Sequence, residues 1–163
     1  MVLPYAQLPA VGLVDTLPMM SNVDQVGYGV QYKEGVGMLP YYRWTGPRER
    51  MYAPAKLIAS HDRISSEFIK LTANPAQGKG GTCFGDSGGP NLQGGTDTVL
   101  AVTAFGTNVN CAGVSYVNRV DIADINDWIT SFYPEEQYEE LFLDPRSALQ
   151  LSFLFSTLIA PKA

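Results

Sequence analysis

The sequence predicts an all-β fold of antiparallel strands followed by one C-terminal helix, and three observations carry that reading. Sixteen glycines and eleven prolines are scattered between short apolar runs, as a fold with many turns requires. Where apolar residues cluster they alternate, as at Val26, Tyr28 and Val30. A helical period with a start signal shows after Asp121, late in the chain.

Taken in order, residues 24–32 read as a strand in which Gly27 and Gly29 mark a bulge or a close approach of another backbone. Residues 52–60 and 64–72 carry Leu57, Ile64, Phe68, Ile69 and Leu71, and form a hairpin turning at Ser60-His61-Asp62-Arg63. Gly78 to Gly81, broken only by Lys79, is too glycine-rich for regular structure. Two more strands fall at 98–105 and 113–119. In the helix, Ile122, Ile125, Trp128 and Ile129 share one face, Asp124, Asn126 and Asp127 lie off it, and Asp121 is the expected N-cap. This helix reads as a packing element. Past Phe132, the acids after Pro134 suit a short helix. Leu149 to Ala160 is apolar but short of the ~20 residues that span a bilayer. It covers a bare surface, anchors on a membrane surface, or is sequence with no evolved fold.

At 163 residues the chain is long enough for one domain with a real core. A net charge of -5 with no Lys/Arg-rich run argues against nucleic acid or anionic lipid as a partner. Pro4 and Pro9, with no basic stretch after Met1, give no signal peptide in this sequence.

The chemistry concentrates in Gly85-Asp86-Ser87-Gly88-Gly89-Pro90. A serine set between an acid and glycines is a nucleophile turn, because glycine tolerates the sharp backbone angles and lets a carbonyl approach main-chain N–H donors. Ser87 is the candidate nucleophile, and the amides of Gly85 and Ser87 are the candidate oxyanion donors.

This hexapeptide resembles the nucleophile motif of the trypsin/chymotrypsin-like serine proteases, and the resemblance extends to both sides. Gly80-Gly81-Thr82-Cys83-Phe84 leads into the motif, Val99 to Gly106 is similar to the groove-lining strand, and Val26-Gly27-Tyr28-Gly29-Val30 to the Gly-aromatic-Gly strand of the family's second barrel. Arg119-Val120 and Asp127-Trp128-Ile129 look like its closing strand and final helix. The match covers roughly residues 8 to 132, which implies an antiparallel β-barrel, the second of the two-barrel protease fold. The implied division is residues 1–132 as that barrel and 133–163 as a tail of uncertain structure.

The resemblance implies peptide-bond hydrolysis through an acyl-enzyme on Ser87, with Gly85 in the oxyanion hole. It gives Asp86 the role of supporting the oxyanion loop by pairing with a freed N-terminal amine. The segment that carries that amine does not match here, so Asp86 is expected either to seek another partner, with the oxyanion hole collapsed, or to be solvated. Gly81 falls where trypsin-type members carry an aspartate at the pocket base, so a basic side chain is not the expected substrate and an apolar or aromatic one is. Phe84 belongs to the pocket rim, Ala104, Phe105 and Gly106 to the groove strand, and either Gly113 or Ser115 to the third wall. Cys83 and Cys111 match family positions that pair as a disulfide, against the alternative of two buried thiols. The bridge implies a secreted parent protein.

A general base and an orienting acid are also required. The family places them in its first barrel, in a small-Ala-His-Cys context and on a later loop, and neither motif occurs here. The single histidine, His61, stands beside Asp62, and neighbours on an extended segment point to opposite faces. His61 is therefore expected to be an ordinary surface histidine, and this chain alone to have little or no protease activity. The expected partners are a polypeptide substrate and either the absent first barrel or a second copy packed on the exposed barrel face, with no nucleic acid. No metal or organic cofactor is implied. The competing function is a non-catalytic peptide-binding or regulatory homologue whose groove strand still pairs with an extended peptide. A lesser reading leaves Ser87 a weak esterase nucleophile acting with the oxyanion donors alone.

Overall fold

The computed structural model describes residues 6–35, 42–61, 63, 65–74 and 80–132. Eight strands run β1 (Asn22–Gly27), β2 (Tyr32–Gly35), β3 (Tyr42–Thr45), β4 (Met51–Ala59), β5 (Phe68–Ala73), β6 (Pro90–Gln93), β7 (Val99–Gly106) and β8 (Gly113–Arg119). A short helix α1 (Leu13–Thr16) precedes them, and α2 (Ala123–Thr130) follows. Six strands close a barrel in the order β1-β4-β5-β8-β7-β6, while β2 and β3 form a separate two-stranded ladder. Each neighbouring pair in the barrel is antiparallel. Closure leaves no open sheet edge around the barrel.

The period-two pattern decides which side chains turn inward. In β5, Ile69, Leu71 and Ala73 are buried while Phe68, Lys70 and Thr72 are less so, and in β8 the buried set is Ser115, Val117 and Arg119. Leu57, Ile69, Leu71, Leu100, Val14, Val23 and Val117 form a sealed apolar centre. Each such side chain contributes roughly 1.5–3 kcal/mol by leaving water.

The two ends of the interior are polar in different ways. At one end Gln25 Nε2 donates to Asn91 Oδ1 at 3.1 Å, and Asn91 Nδ2 donates to Thr103 Oγ1 at 3.1 Å. Gln25 Oε1 is the one buried side-chain polar atom without a partner among the described residues. At the other end Arg119 grips Asp121 with two hydrogen bonds of 2.8 and 2.9 Å and Asp15 with two of 2.9 and 2.8 Å. The second oxygen of Asp121 also accepts from the Val14 N–H at 2.8 Å, which straps α1 onto the barrel.

The strands β7 and β8 lie where the sequence places them, and β4 pairs antiparallel with β5 as expected, but β5 begins at Phe68 and not at residue 64, with a turn at residues 66–67 before it. The strand expected at 24–32 instead ends at Gly27, because the chain turns there to pass Asp86. Asp121 is not the N-cap of α2. That position is Ile122, with no side-chain cap, since the Asp121 carboxylate is taken by Arg119 and Val14. The buried face of α2 carries Asn126, whose Nδ2 donates to the Pro9 carbonyl at 3.2 Å, while Trp128 is 64% exposed. The expected structures around Lys79 and from Pro134 onward lie outside the described residues.

Candidate active site

The loop from Cys83 to Pro90 crosses the polar end of the barrel, and backbone hydrogen bonds pin it at both flanks. Gly88 N–H donates to the Thr103 carbonyl at 2.9 Å, and Thr103 N–H returns a bond of 2.9 Å to the Gly89 carbonyl. Asp86 N–H donates to the Cys83 carbonyl at 3.1 Å, making a tight turn that Gly85 completes at φ +96°. That angle lies in the region only glycine adopts without strain. Asn91 Nδ2 reaches the Gly89 carbonyl from below, so the buried amide network touches the turn itself.

Asp86 faces inward and is neither unpartnered nor merely solvated. Its Oδ1 accepts from the Gly29 N–H at 2.7 Å and its Oδ2 from the Cys83 N–H at 2.8 Å. Charge-assisted bonds from backbone N–H groups are short and strong. They tie the turn to the Gly27-Tyr28-Gly29 segment, which approaches so closely that a Cβ on Gly29 would stand 2.6 Å from the carboxylate oxygens. Ser87 projects the other way and is exposed. Among the described residues no hydrogen bond takes the amides of Gly85 or Ser87. Two backbone donors are therefore left uncommitted near an exposed hydroxyl.

Two cavities flank the turn. A cleft of about 360 Å³ is bordered by Ser87, Thr82, Phe84 and, from β7, Ala104, Phe105 and Gly106. Phe84 and Phe105 stand half exposed at its edge, and Phe105 stacks on Tyr116 with ring centroids 4.7 Å apart. The Cys83–Cys111 disulfide, with Cα atoms 5.1 Å apart, forms another wall. Gly81 does not border this cleft; it borders a second cavity of about 220 Å³ that extends from Gln25 to Asp86. Gly81 packs against β5, and a Cβ there would lie 2.7 Å from the Ala73 Cβ.

Strand β7 is irregular beside the cleft. The pairing of β7 with β8 shifts register between Thr103 and Phe105, so Ala104 is the extra residue of a bulge. His61 lies elsewhere. Met51 and Tyr52, which begin β4, border the cavity beside Asp86, whereas Ser60, just after its end, gives its carbonyl to Arg119. Nine residues of strand separate these points by about 30 Å. His61 is exposed, with Nδ1 3.3 Å from the Ser60 hydroxyl. Asp62 lies outside the described residues.

Three groups with a role in this geometry left little trace in the sequence. The Gly29 N–H and the Thr103 backbone act through main-chain atoms, which any residue supplies. The third is Thr82, whose Oγ1 lies 2.7 Å from the buried Ser115 Oγ. No group of three His, Cys, Asp or Glu side chains could hold a metal ion among the described residues. No described helix is long and apolar enough to cross a membrane.

The family profile described as Trypsin matches residues 5–129. Among solved structures, a mutant of human heparin binding protein is 20% identical with a TM-score of 0.56, covering 77% of this chain and 48% of its own. HL collagenase is 19% identical with a TM-score of 0.57, covering 79% and 56%. A scabies mite inactivated protease paralogue is 18% identical with a TM-score of 0.51, covering 78% and 51%. At these identities the likeness shows the fold, and the chain spans about half the length of each. No curated protein matches the chain.

Proposed function

The chain belongs to the trypsin family, and from that premise we propose that it is the nucleophile-bearing barrel of a secreted serine endopeptidase. The observation that carries this reading is the Asp86 anchor: two backbone donors hold the carboxylate inward, and the turn then presents the Ser87 hydroxyl outward beside the uncommitted Gly85 and Ser87 amides. In the reaction the Ser87 oxygen adds to a peptide carbonyl carbon while its proton passes to a base. The resulting oxyanion lies against the two amides, and the carbon–nitrogen bond breaks as the base returns the proton to the leaving amine. Water then repeats the sequence to release the acyl group.

The base and its orienting acid come from a partner barrel outside this sequence, since His61 stands at the far end of β4. The chain alone is therefore a poor hydrolase. The cavity beside Asp86 is the place for a freed N-terminal amine, and the disulfide supports an oxidising compartment. The uncharged cleft suits a polypeptide with a neutral side chain at the cleaved bond. A second reading, a homologue that binds peptide without cleaving it, is favoured by the missing base and by the bulged groove strand at Ala104.

The test is covalent labelling of the purified chain by a fluorophosphonate, with and without added imidazole as an external base. The hydrolase reading expects weak labelling alone, a rise with imidazole, and none in Ser87→Ala. Absence of Ser87-dependent labelling at every imidazole concentration overturns it and leaves the peptide-binding reading.

A further inference from the structure

We infer that the Thr82–Ser115 hydroxyl pair makes the cleft selective for a neutral side chain ending in a hydrogen-bond acceptor, with a phenol as the best fit. The inference deepens the proposed hydrolase reading and rests on it for which molecule enters the cleft. It begins from the 2.7 Å separation of the two oxygens, at which one hydroxyl must donate to the other. Ser115 is 1% exposed, and Thr82 is its only side-chain hydrogen-bond partner among the described residues. A buried donor without an acceptor is costly, so the Ser115 proton goes to Thr82 Oγ1. Thr82, which borders both this cleft and the cavity beside Asp86, then keeps its own proton to give to a ligand.

The rest of the lining sharpens the choice. No Asp, Glu, Lys, Arg or His borders the cleft among the described residues, so a guanidinium or ammonium would be desolvated there without an anion. Phe84 and Phe105 stand half exposed at the mouth, and Ala104 and Gly106 leave width for a flat group. An aromatic ring fits that shape, and its para oxygen is the acceptor that Thr82 lacks. A ring without the oxygen leaves the Thr82 proton unanswered in a partly enclosed site, and sites built to hydrogen-bond a hydroxyl discriminate on that ground.

The experiment titrates the full chain with p-cresol, toluene and benzamidine and follows backbone amide resonances of the cleft. No turnover is needed. The expected result is p-cresol bound about tenfold tighter than toluene, the worth of one added hydrogen bond, and benzamidine weakest. In Thr82→Val the preference disappears while toluene binding is kept, and in Thr82→Ser it returns, which separates a lost contact from a lost fold. Equal binding of p-cresol and toluene, a preference for benzamidine, or no saturable binding of any probe overturns the inference. Preference for p-cresol without any labelling of Ser87 overturns hydrolysis and leaves the cleft selectivity intact. Labelling of Ser87 without the preference does the reverse.

Discussion

Removing the Arg119 guanidinium tests whether the charged end of the barrel is held as the hydrogen bonds indicate. Asp121 is wholly buried and Arg119 is 5% exposed, so Arg119→Met strands a carboxylate in the interior. Only the Val14 N–H would remain to solvate it among the described residues. Breaking a buried pair from one side costs about 3–5 kcal/mol, a large share of the ~5–15 kcal/mol that holds a typical domain together. Side-chain packing contributes little to the loss, because methionine keeps most of the aliphatic stem. In urea, with a slope of about 2 kcal/mol per molar, the midpoint should fall by about 2 M. Adding Asp121→Asn to Arg119→Met removes the stranded charge while leaving an acceptor for Val14, and should restore at least half of the loss. A fall below about 0.5 M for the single variant, or no recovery in the double, refutes the reasoning, since the pair would then be solvent-screened and not a buried ion pair.

Further perturbations probe the other end of the network and the turn. The Asp15 carboxyl is held below its ordinary range, chiefly by the hydrogen bond from Arg119. The unfolded chain therefore protonates there first as pH falls, so the stabilisation is present above about pH 4 and disappears as the pH drops through the lower folded value. With the Asp15 side chain 57% exposed the effect is under about 1 kcal/mol. Asp15→Asn should lower the midpoint at pH 6, and the difference should shrink progressively as the pH falls below about 4. Replacing Cys83 and Cys111 together by serine opens a loop with a sequence separation of 28 and should cost about 3–4 kcal/mol in calorimetry. Gly29→Ala drives a methyl into the Asp86 carboxylate; it should destabilise the chain by about 1–3 kcal/mol and abolish imidazole-assisted labelling of Ser87. Unchanged labelling in that variant would show that the anchor does not set the turn.

What the sequence made legible follows from how each feature is encoded. The strands β4, β5, β7 and β8 announce themselves because one face is buried, so Leu57, Ile69, Leu71 and Val117 recur at alternate positions. By contrast β6 begins at Pro90, inside the glycine-rich motif, and carries Asn91 inward, so neither period nor hydrophobicity marks it. The helix α1 is four residues long and stands on the Asp121–Val14 bond, a contact across 107 residues. Asp121 itself illustrates competition: the local pattern favours a cap, and an arginine two residues earlier takes the carboxylate instead. At the candidate site, the motif exposes Ser87 and Asp86 to inspection. One of the two partners of Asp86 is a backbone amide 57 positions away, and a backbone donor has no side chain to signal it.

The straps that join residues 7–14 to residues 98–126 constrain the order in which the barrel can be completed. Gln7 bridges to Thr98, Val14 to Asp121 and Pro9 to Asn126, so residues 7–14 have no durable place until β7, the segment after β8 and α2 exist. β1 likewise needs β6 to close the barrel. Contacts of such long separation make folding slow, since the loop must close before any of them forms. On the ribosome the early strands therefore emerge as an unclosed sheet and wait for Asn126 to clear the exit. During that interval the open edges are those of β1, which awaits β6, and of β5, which awaits β8, and these are the segments a chaperone would have to cover.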